Sequence, residues 1–213
     1  MNKPVREISG IMAVMPVANI NTDAIIPSVW LRTATADMGK GLFGRQRYDE
    51  AGSERPDFVL NRPPFREAKI LLADENFGCG SSREAAVWAL VQFGIGCVLA
   101  PSFADIFYEN AFRNGLVAGL IEPDTYQALK RAVEVNGHDP RAHVDLASAS
   151  MTGPDGVKHS FRIAAARAQA LMRGDDEIAM TLQHQRAIEA HCVAAKATSD
   201  WLFPAALQRT QSP

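Results

Sequence analysis

Runs of apolar residues separated by turn-forming clusters divide the chain into short strands and amphipathic helices. Residues 7–17 are largely apolar and predict a strand, ended by Asn19, Asn21 and Asp23, whose side chains favour Asx-type turns. Residues 32–64 carry many Gly, Arg, Asp and Pro with little periodicity, which predicts a long loop broken by short turns. Long ordered loops of this kind often carry function. A β-prone run at 69–73 leads into a glycine-rich stretch at 76–80, a helix over 81–93 stopped at Gly94, and a strand at 97–100. This is a strand-loop-helix-strand unit of an α/β fold. A second helix is expected over 103–113, with Ser102 as its N-cap, Asp105 in its first turn and Gly115 past its end. A strand at 116–121 and a helix near 125–132 follow. The turn residues Gly153-Pro154-Asp155-Gly156 suggest a hairpin between segments near Val144 and at 157–163, and residues from 176 to about 197 are helical in pattern.

With 213 residues, 47% hydrophobic and 22% charged, the chain can bury one substantial core. A single domain spanning 1–213 is expected, with a helical C-terminal region from about 165 onward. The apolar Trp201, Leu202 and Phe203 near the end could pack on this domain or on a partner. A formal charge of -2 without any Lys/Arg run argues against nucleic acid and anionic membranes, leaving small molecules and proteins as partners. The N-terminus has no apolar stretch of signal-peptide length, and no window approaches the roughly 20 apolar residues of a membrane span. A cytoplasmic protein is expected. Cys79, Cys97 and Cys192 are widely spaced and suit free thiols. Without a CxxC pair they do not read as a zinc or iron-sulfur ligand set.

The densest chemistry is Asn76-Phe77-Gly78-Cys79-Gly80-Ser81-Ser82-Arg83-Glu84, two hydroxyls and a guanidinium where a glycine-rich loop enters a helix. Glycines allow close backbone approach, first-turn amides are unpaired, and the helix dipole favours negative charge, so a carboxylate-bearing substrate fits. Ser81-x-x-Glu84 is equally a capping box, in which serine and glutamate only satisfy backbone donors. The loop lacks the third glycine of a dinucleotide fingerprint and the Lys-Ser/Thr ending of a P-loop.

That segment, together with residues 100–108 (Ala-Pro-Ser-Phe-Ala-Asp-Ile-Phe-Tyr), resembles the small subunits of 3-isopropylmalate dehydratases in the aconitase superfamily. Residues 19–27 (Asn-Ile-Asn-Thr-Asp-Ala-Ile-Ile-Pro), 58–61 and 70–73 follow the same family order, and looser agreement at 114–116 and 175–183 extends the match over roughly residues 5–192. The resemblance implies a three-layer β/β/α swivelling domain that pairs with a large subunit holding a 4Fe-4S cluster, this chain binding no metal itself. It implies isomerisation of 2-isopropylmalate to 3-isopropylmalate by dehydration and rehydration in leucine biosynthesis. Ser81 matches the family's catalytic base, and Ser82 and Arg83 match its binders of substrate carboxylate. Gly80, Thr22 and Asp23 match supporting positions. Dehydrating a hydroxy diacid needs a base for a carbon-bound proton and help for departing hydroxide, which a cluster iron can supply as Lewis acid. Serine is a feeble base unless its alkoxide is stabilised, and both Arg83 and a helix N-terminus would do that.

The chain departs from the family with Ala85 and Val87, where His and Pro are usual, and with Asn21, where Asp is common. These changes keep open a relative acting on citraconate, methylmalate or dimethylmaleate. A non-catalytic anion-binding or regulatory module, with Ser81 only a cap, stands as a reading of another class. Arg32 lies in the loop that the family uses for the substrate's variable substituent, and is expected either to contact substrate or to be a solvated loop arginine. Asp23 could equally be explained as an Asx turn, and Cys79 as a small half-buried filler. His138, His143, His159, His184 and His191 show no tight ligand pattern.

Overall fold

The computed structural model describes residues 3–32, 37–199 and 201, and these fall into two compact units, 1–174 and 175–213. The first unit is mixed α/β. Strand β1 (Glu7–Met15) is followed by three short helices, α1 (Thr22–Ile25), α2 (Met38–Gly41) and α3 (Gly44–Arg47). Then come β2 (Ala68–Ala73), α4 (Glu84–Phe93), β3 (Cys97–Ala100), α5 (Asp105–Arg113), β4 (Val117–Leu120) and α6 (Pro123–Val135). Strands β5 (Arg141–Asp145), β6 (Ser150–Thr152) and β7 (Lys158–Ser160) precede α7 (Ala165–Arg173).

All seven strands form one sheet in the order β4-β3-β2-β1-β5-β6-β7. Strands β1 to β4 pair in parallel and β5 to β7 are antiparallel. The sheet curls until its edges meet. Just beyond β7, Arg162 exchanges both backbone hydrogen bonds with Leu120 at the end of β4, at 2.9 and 2.7 Å. The central strands read as continuous apolar runs because both faces are covered. Alternate residues then serve two cores. Ala13, Leu71, Val98 and Ala118 pack toward α4 and α5, while Met12, Ile70, Leu99 and Val117 face a core shared with Val144, Met151 and Phe161 and with α6 and α7. The expected α/β architecture with a doubled β layer and a helical layer is present.

Several boundaries differ from expectation. Helix α4 begins at Glu84 rather than Ser81, since Gly78 and Gly80 at φ +80 and +85 hold the preceding segment in a tight loop. Helix α5 begins at Asp105 without a side-chain cap, because the Ser102 hydroxyl instead accepts the Asn76 amide at 2.8 Å. The Gly153–Gly156 turn joins β6 to β7, so the hairpin is one strand later than its nearest apolar signal. Of the expected 32–64 loop, residues 33–36 lie outside the described residues, and residues 37–64 are arranged around Arg47, which is 6% exposed. Its Nε donates to Asn61 Oδ1 at 3.0 Å and its NH1 to the Gly39 carbonyl at 3.3 Å, while the guanidinium lies 5.0 Å from the Phe93 ring centre. Asn61 returns hydrogen bonds to the Arg47 and Arg55 carbonyls.

The second unit contains α8 (Glu177–Leu182), capped by the Asp176 side chain on the Ala179 amide, and α9 (Gln185–Thr198). It exposes Ile178, Leu182, Ile188, Val193 and Trp201. Leu202 and Phe203 lie outside the described residues. No helix of the described residues is long and apolar enough to cross a membrane.

Candidate active site

Three connections at the C-terminal ends of parallel strands converge, the region of an open α/β sheet where ligands ordinarily bind. The loop after β2 is zipped between the loops after β1 and β3. Asn19 N donates to Glu75 O at 2.9 Å, Gly78 N to Ile20 O at 2.8 Å and Thr22 N to Cys79 O at 2.9 Å. On the other side Phe77 N donates to Ser102 O and Ala104 N to Phe77 O. Side chains reinforce this seam, with Asn76 Nδ2 donating to Asn19 Oδ1 at 2.7 Å and the Cys79 thiol to the Asn19 carbonyl at 3.3 Å. Asn19 and Asn76 both adopt left-handed backbone, at φ 58 and 55, which asparagine tolerates better than most residues. At Gly78 a Cβ would stand 2.2 Å from the Phe107 ring, so only glycine lets α5 approach this closely.

Ser81 and Ser82 emerge from this seam exposed to solvent, and Thr22 Oγ1 donates to the Ser81 carbonyl at 2.8 Å, which fixes the backbone under the first hydroxyl. Arg83 occupies the N-cap position of α4 with extended backbone, φ -120 and ψ 103, and caps nothing with its side chain. Its NH1 donates instead to Asp23 Oδ1. The capping box does not form. Glu84 accepts from Asn114 Nδ2 at 2.8 Å, and Asn114 Oδ1 accepts from Trp88 Nε1 at 2.9 Å, so this carboxylate ties α4 to the end of α5. Asx capping falls to Asn21, whose Oδ1 accepts the Ala24 amide at 2.8 Å, and not to Asp23.

A cavity of about 240 Å³ collects these groups, lined by Thr22, Gly80, Ser81, Ser82 and Arg83 on one side and by Asp105, Ile106 and Asn110 of α5 on the other. One cation and two unbonded hydroxyls over the uncapped start of a helix suit a carboxylate. Asp105 adds a negative charge to the rim, which opposes an anionic ligand and leaves Arg83 as the place where its carboxylate is best met. Of the expected residues, Ser81, Ser82, Arg83, Gly80 and Thr22 are brought together here and Asp23 joins through Arg83. Arg32 is exposed at the end of a 3-10 turn, Ser28–Arg32, and does not line this cavity. Ala85 and Val87, 8% and 0% exposed, face the core and leave the cavity wall unchanged. Sequence reading missed Asn110. Its only signal was a polar residue one turn after Phe107 on an otherwise core-facing helix stripe.

A second hollow, about 520 Å³, lies between the end of β1, residues 57–65 and α6. Its lining combines apolar Val14, Phe58, Phe65 and Val133 with charged Asp57, Arg62, Lys130 and Glu134, and holds none of the serine motif. Among the described residues there is no group of three or more His, Cys, Asp or Glu placed to hold a metal ion. The free cysteines do not fit an iron-sulfur cluster: Cys97 is sealed in β3, where burial pushes its thiol up, and Cys79 is half-buried in the loop seam.

The family model of the aconitase C-terminal domain matches residues 2–121, which contain the whole seam and cavity. The 3-isopropylmalate dehydratase small subunit of Dinoroseobacter shibae is 44% identical over 197 residues, covering 92% of this chain and 98% of that protein. That of Paramagnetospirillum magneticum is 46% identical over 197 residues, covering 92% and 97%. Among solved structures, 3-isopropylmalate dehydratase (leuD) from Methanocaldococcus jannaschii aligns with a TM-score of 0.60 at 26% identity, over 87% of this chain and 98% of that one.

Proposed function

The chain belongs to the aconitase C-terminal domain family and, within it, to the small subunits of 3-isopropylmalate dehydratase, and on that premise we propose how its residues serve the reaction. It is one part of a hydro-lyase of leucine biosynthesis that converts 2-isopropylmalate to 3-isopropylmalate by removing and re-adding water. A small subunit implies a large one. The swivelling surface formed by the three loops closes on that subunit in the cytoplasm, where free Cys79, Cys97 and Cys192 suit a reducing medium. We assign a 4Fe-4S cluster to the large subunit, as the family resemblance implies, and none to this chain. Bound there, it supplies Lewis acidity toward the leaving hydroxyl.

This chain's share is the proton and the carboxylate. The Ser81 hydroxyl, as alkoxide, takes the carbon-bound proton, the C–H electron pair forms the double bond, and hydroxide leaves. Reversal with the water added to the neighbouring carbon completes the isomerisation. Helix-dipole help for that alkoxide is smaller than the motif suggested. Ser81 stands three residues ahead of α4, and the dipole fades within the first turn. Arg83 is then the main source of positive potential, and with Ser82 it holds substrate carboxylate. Thr22 and Gly80 shape the loop that carries the base. Arg32 lies outside the cavity, and we assign it to the substrate's variable substituent on the family resemblance of its loop alone. Because Ala85 and Val87 are buried in the core, they give no support to a citraconate, methylmalate or dimethylmaleate substrate.

The observation that carries this reading is the pair of unbonded serine hydroxyls beside Arg83 in a cavity whose capping explanation fails, Glu84 being bound to Asn114. The test is turnover of the reconstituted two-subunit enzyme carrying Ser81→Ala. Loss of at least about 100-fold with the complex intact is expected, and unchanged turnover would return Ser81 to a purely structural role.

A further inference from the structure

Helix α5 brings to the cavity a polar group that lies outside the serine motif. Asn110 is 7% exposed and lines the same cavity as Ser81, Ser82 and Arg83. Five polar or charged residues are buried among the described ones, namely Thr22, Arg47, Asn61, Asn110 and Ser150. Four of them have side-chain partners: Thr22 bonds the Ser81 carbonyl, Arg47 and Asn61 bond each other, and Ser150 bonds Ser148. Asn110 is the exception. Its main-chain carbonyl accepts from Asn114 Nδ2 at 2.9 Å, but its side-chain amide makes no hydrogen bond to any described residue. Neither amide atom is sealed from the cavity, since the buried polar atoms without partners are those of Tyr126, His159 and Arg167. A nine-tenths buried residue in the lining of this cavity therefore carries an accessible amide that no described residue satisfies.

An amide set this deep in the lining with no protein partner is served by water or by a ligand that replaces that water's hydrogen bonds, and a ligand acceptor placed there can do so. Holding the serine loop in place does not account for it. Phe107, one turn earlier on the same face, already fills the space beneath Gly78. The ligand's two carboxylates also call for donors beyond Arg83 and Ser82. A diacid brings more acceptor oxygens than Arg83 can satisfy, one of whose nitrogens is already committed to Asp23.

We propose that Asn110 is a further substrate-binding residue, donating a side-chain N–H to a carboxylate oxygen of the bound diacid alongside Arg83. This rests on the dehydratase reading of the cavity, and it predicts an unequal response to two substitutions. Asn110→Asp keeps the size and replaces the donor with an anion, whereas Asn110→Ala removes the donor alone.

Both variants are to be assayed in the reconstituted two-subunit enzyme with 2-isopropylmalate, beside wild type and Ser81→Ala, with thermal midpoints recorded. The expected result is a KM raised roughly tenfold by Asn110→Ala and on the order of 100-fold by Asn110→Asp, with kcat changed less and midpoints close to wild type. Wild-type KM in either folded variant, while Ser81→Ala is inactive, would overturn the assignment and leave the reading of the cavity standing. Equal KM increases in the two variants would overturn it as well, since an anion facing a carboxylate must do more harm than a methyl group. Full activity of Ser81→Ala would instead remove the premise.

Discussion

Asp23 and Arg83 lie 60 residues apart in the chain and meet only through the seam that joins the loops after β1 and β2. Asp23 takes one guanidinium nitrogen, and no other described residue occupies the rest, so the pairing sets the direction of the fork while leaving donors for a ligand. The Arg83 side chain is 22% exposed and that of Asp23 44%, and a pair this open to solvent contributes at most about 1 kcal/mol to stability. Its value lies in orientation. Asp23→Ala is expected to shift the denaturation midpoint little and to raise KM several-fold, roughly 3- to 10-fold, with Asp23→Glu restoring part of the loss. A large fall in midpoint with KM unchanged would show that Asp23 serves the fold alone. The motif residues were legible because glycine, serine and arginine in one short run carry their chemistry locally. Asn110 was not, because one polar position in a helix acquires meaning only from what lies opposite it.

At the scale of elements, regular periodicity predicted the long pieces well. The strands β2, β3 and β4 and the helices α4, α5 and α6 fall where apolar spacing placed them, with β3 unmoved and other ends shifted by at most three residues. The ends moved because caps are chosen by competition. Ser102 is spent on the Asn76 amide and Glu84 on Asn114, so neither serves the helix beside it. The segment of 32–64 looked structureless because α2 and α3 have four residues each, too few to show a period. What holds residues 37–64 together is Arg47, whose burial lowers its affinity for a proton, bound by Asn61, the Gly39 carbonyl and the Phe93 ring. Arg47→Ala strands the Asn61 and Gly39 acceptors and is expected to cost about 2–4 kcal/mol in chemical denaturation, with faster proteolysis between residues 37 and 64. A loss below about 0.5 kcal/mol would mean that the loop is held by its apolar contacts instead.

Across the whole of the first unit, stability should respond to alkaline pH through Tyr126. This residue is 3% exposed in the core between the sheet and α6, and burial, aided by Asp74, pushes its phenol up to about 12. In the unfolded chain the same phenol titrates near ~10. Between those values the unfolded state loses a proton that the folded state keeps, so stability is undiminished below the window and falls as pH rises through it. Denaturation midpoints of wild type should therefore drop between about pH 10 and about pH 12 more steeply than those of Tyr126→Phe; parallel slopes would exclude the phenol as the cause. The sequence by itself determined the α/β class, the order of the major elements, the serine loop and the family, because these depend on local spacing and on residues adjacent in the chain. Only the tertiary structure decided that the sheet curls shut through Leu120 and Arg162, that Asp23 aims Arg83, that Glu84 is not a cap, and that Asn110 opens on the cavity. Each of these is a contact between residues far apart in sequence, and such contacts are selected by which buried polar groups can be satisfied together, a condition that no single stretch of chain contains.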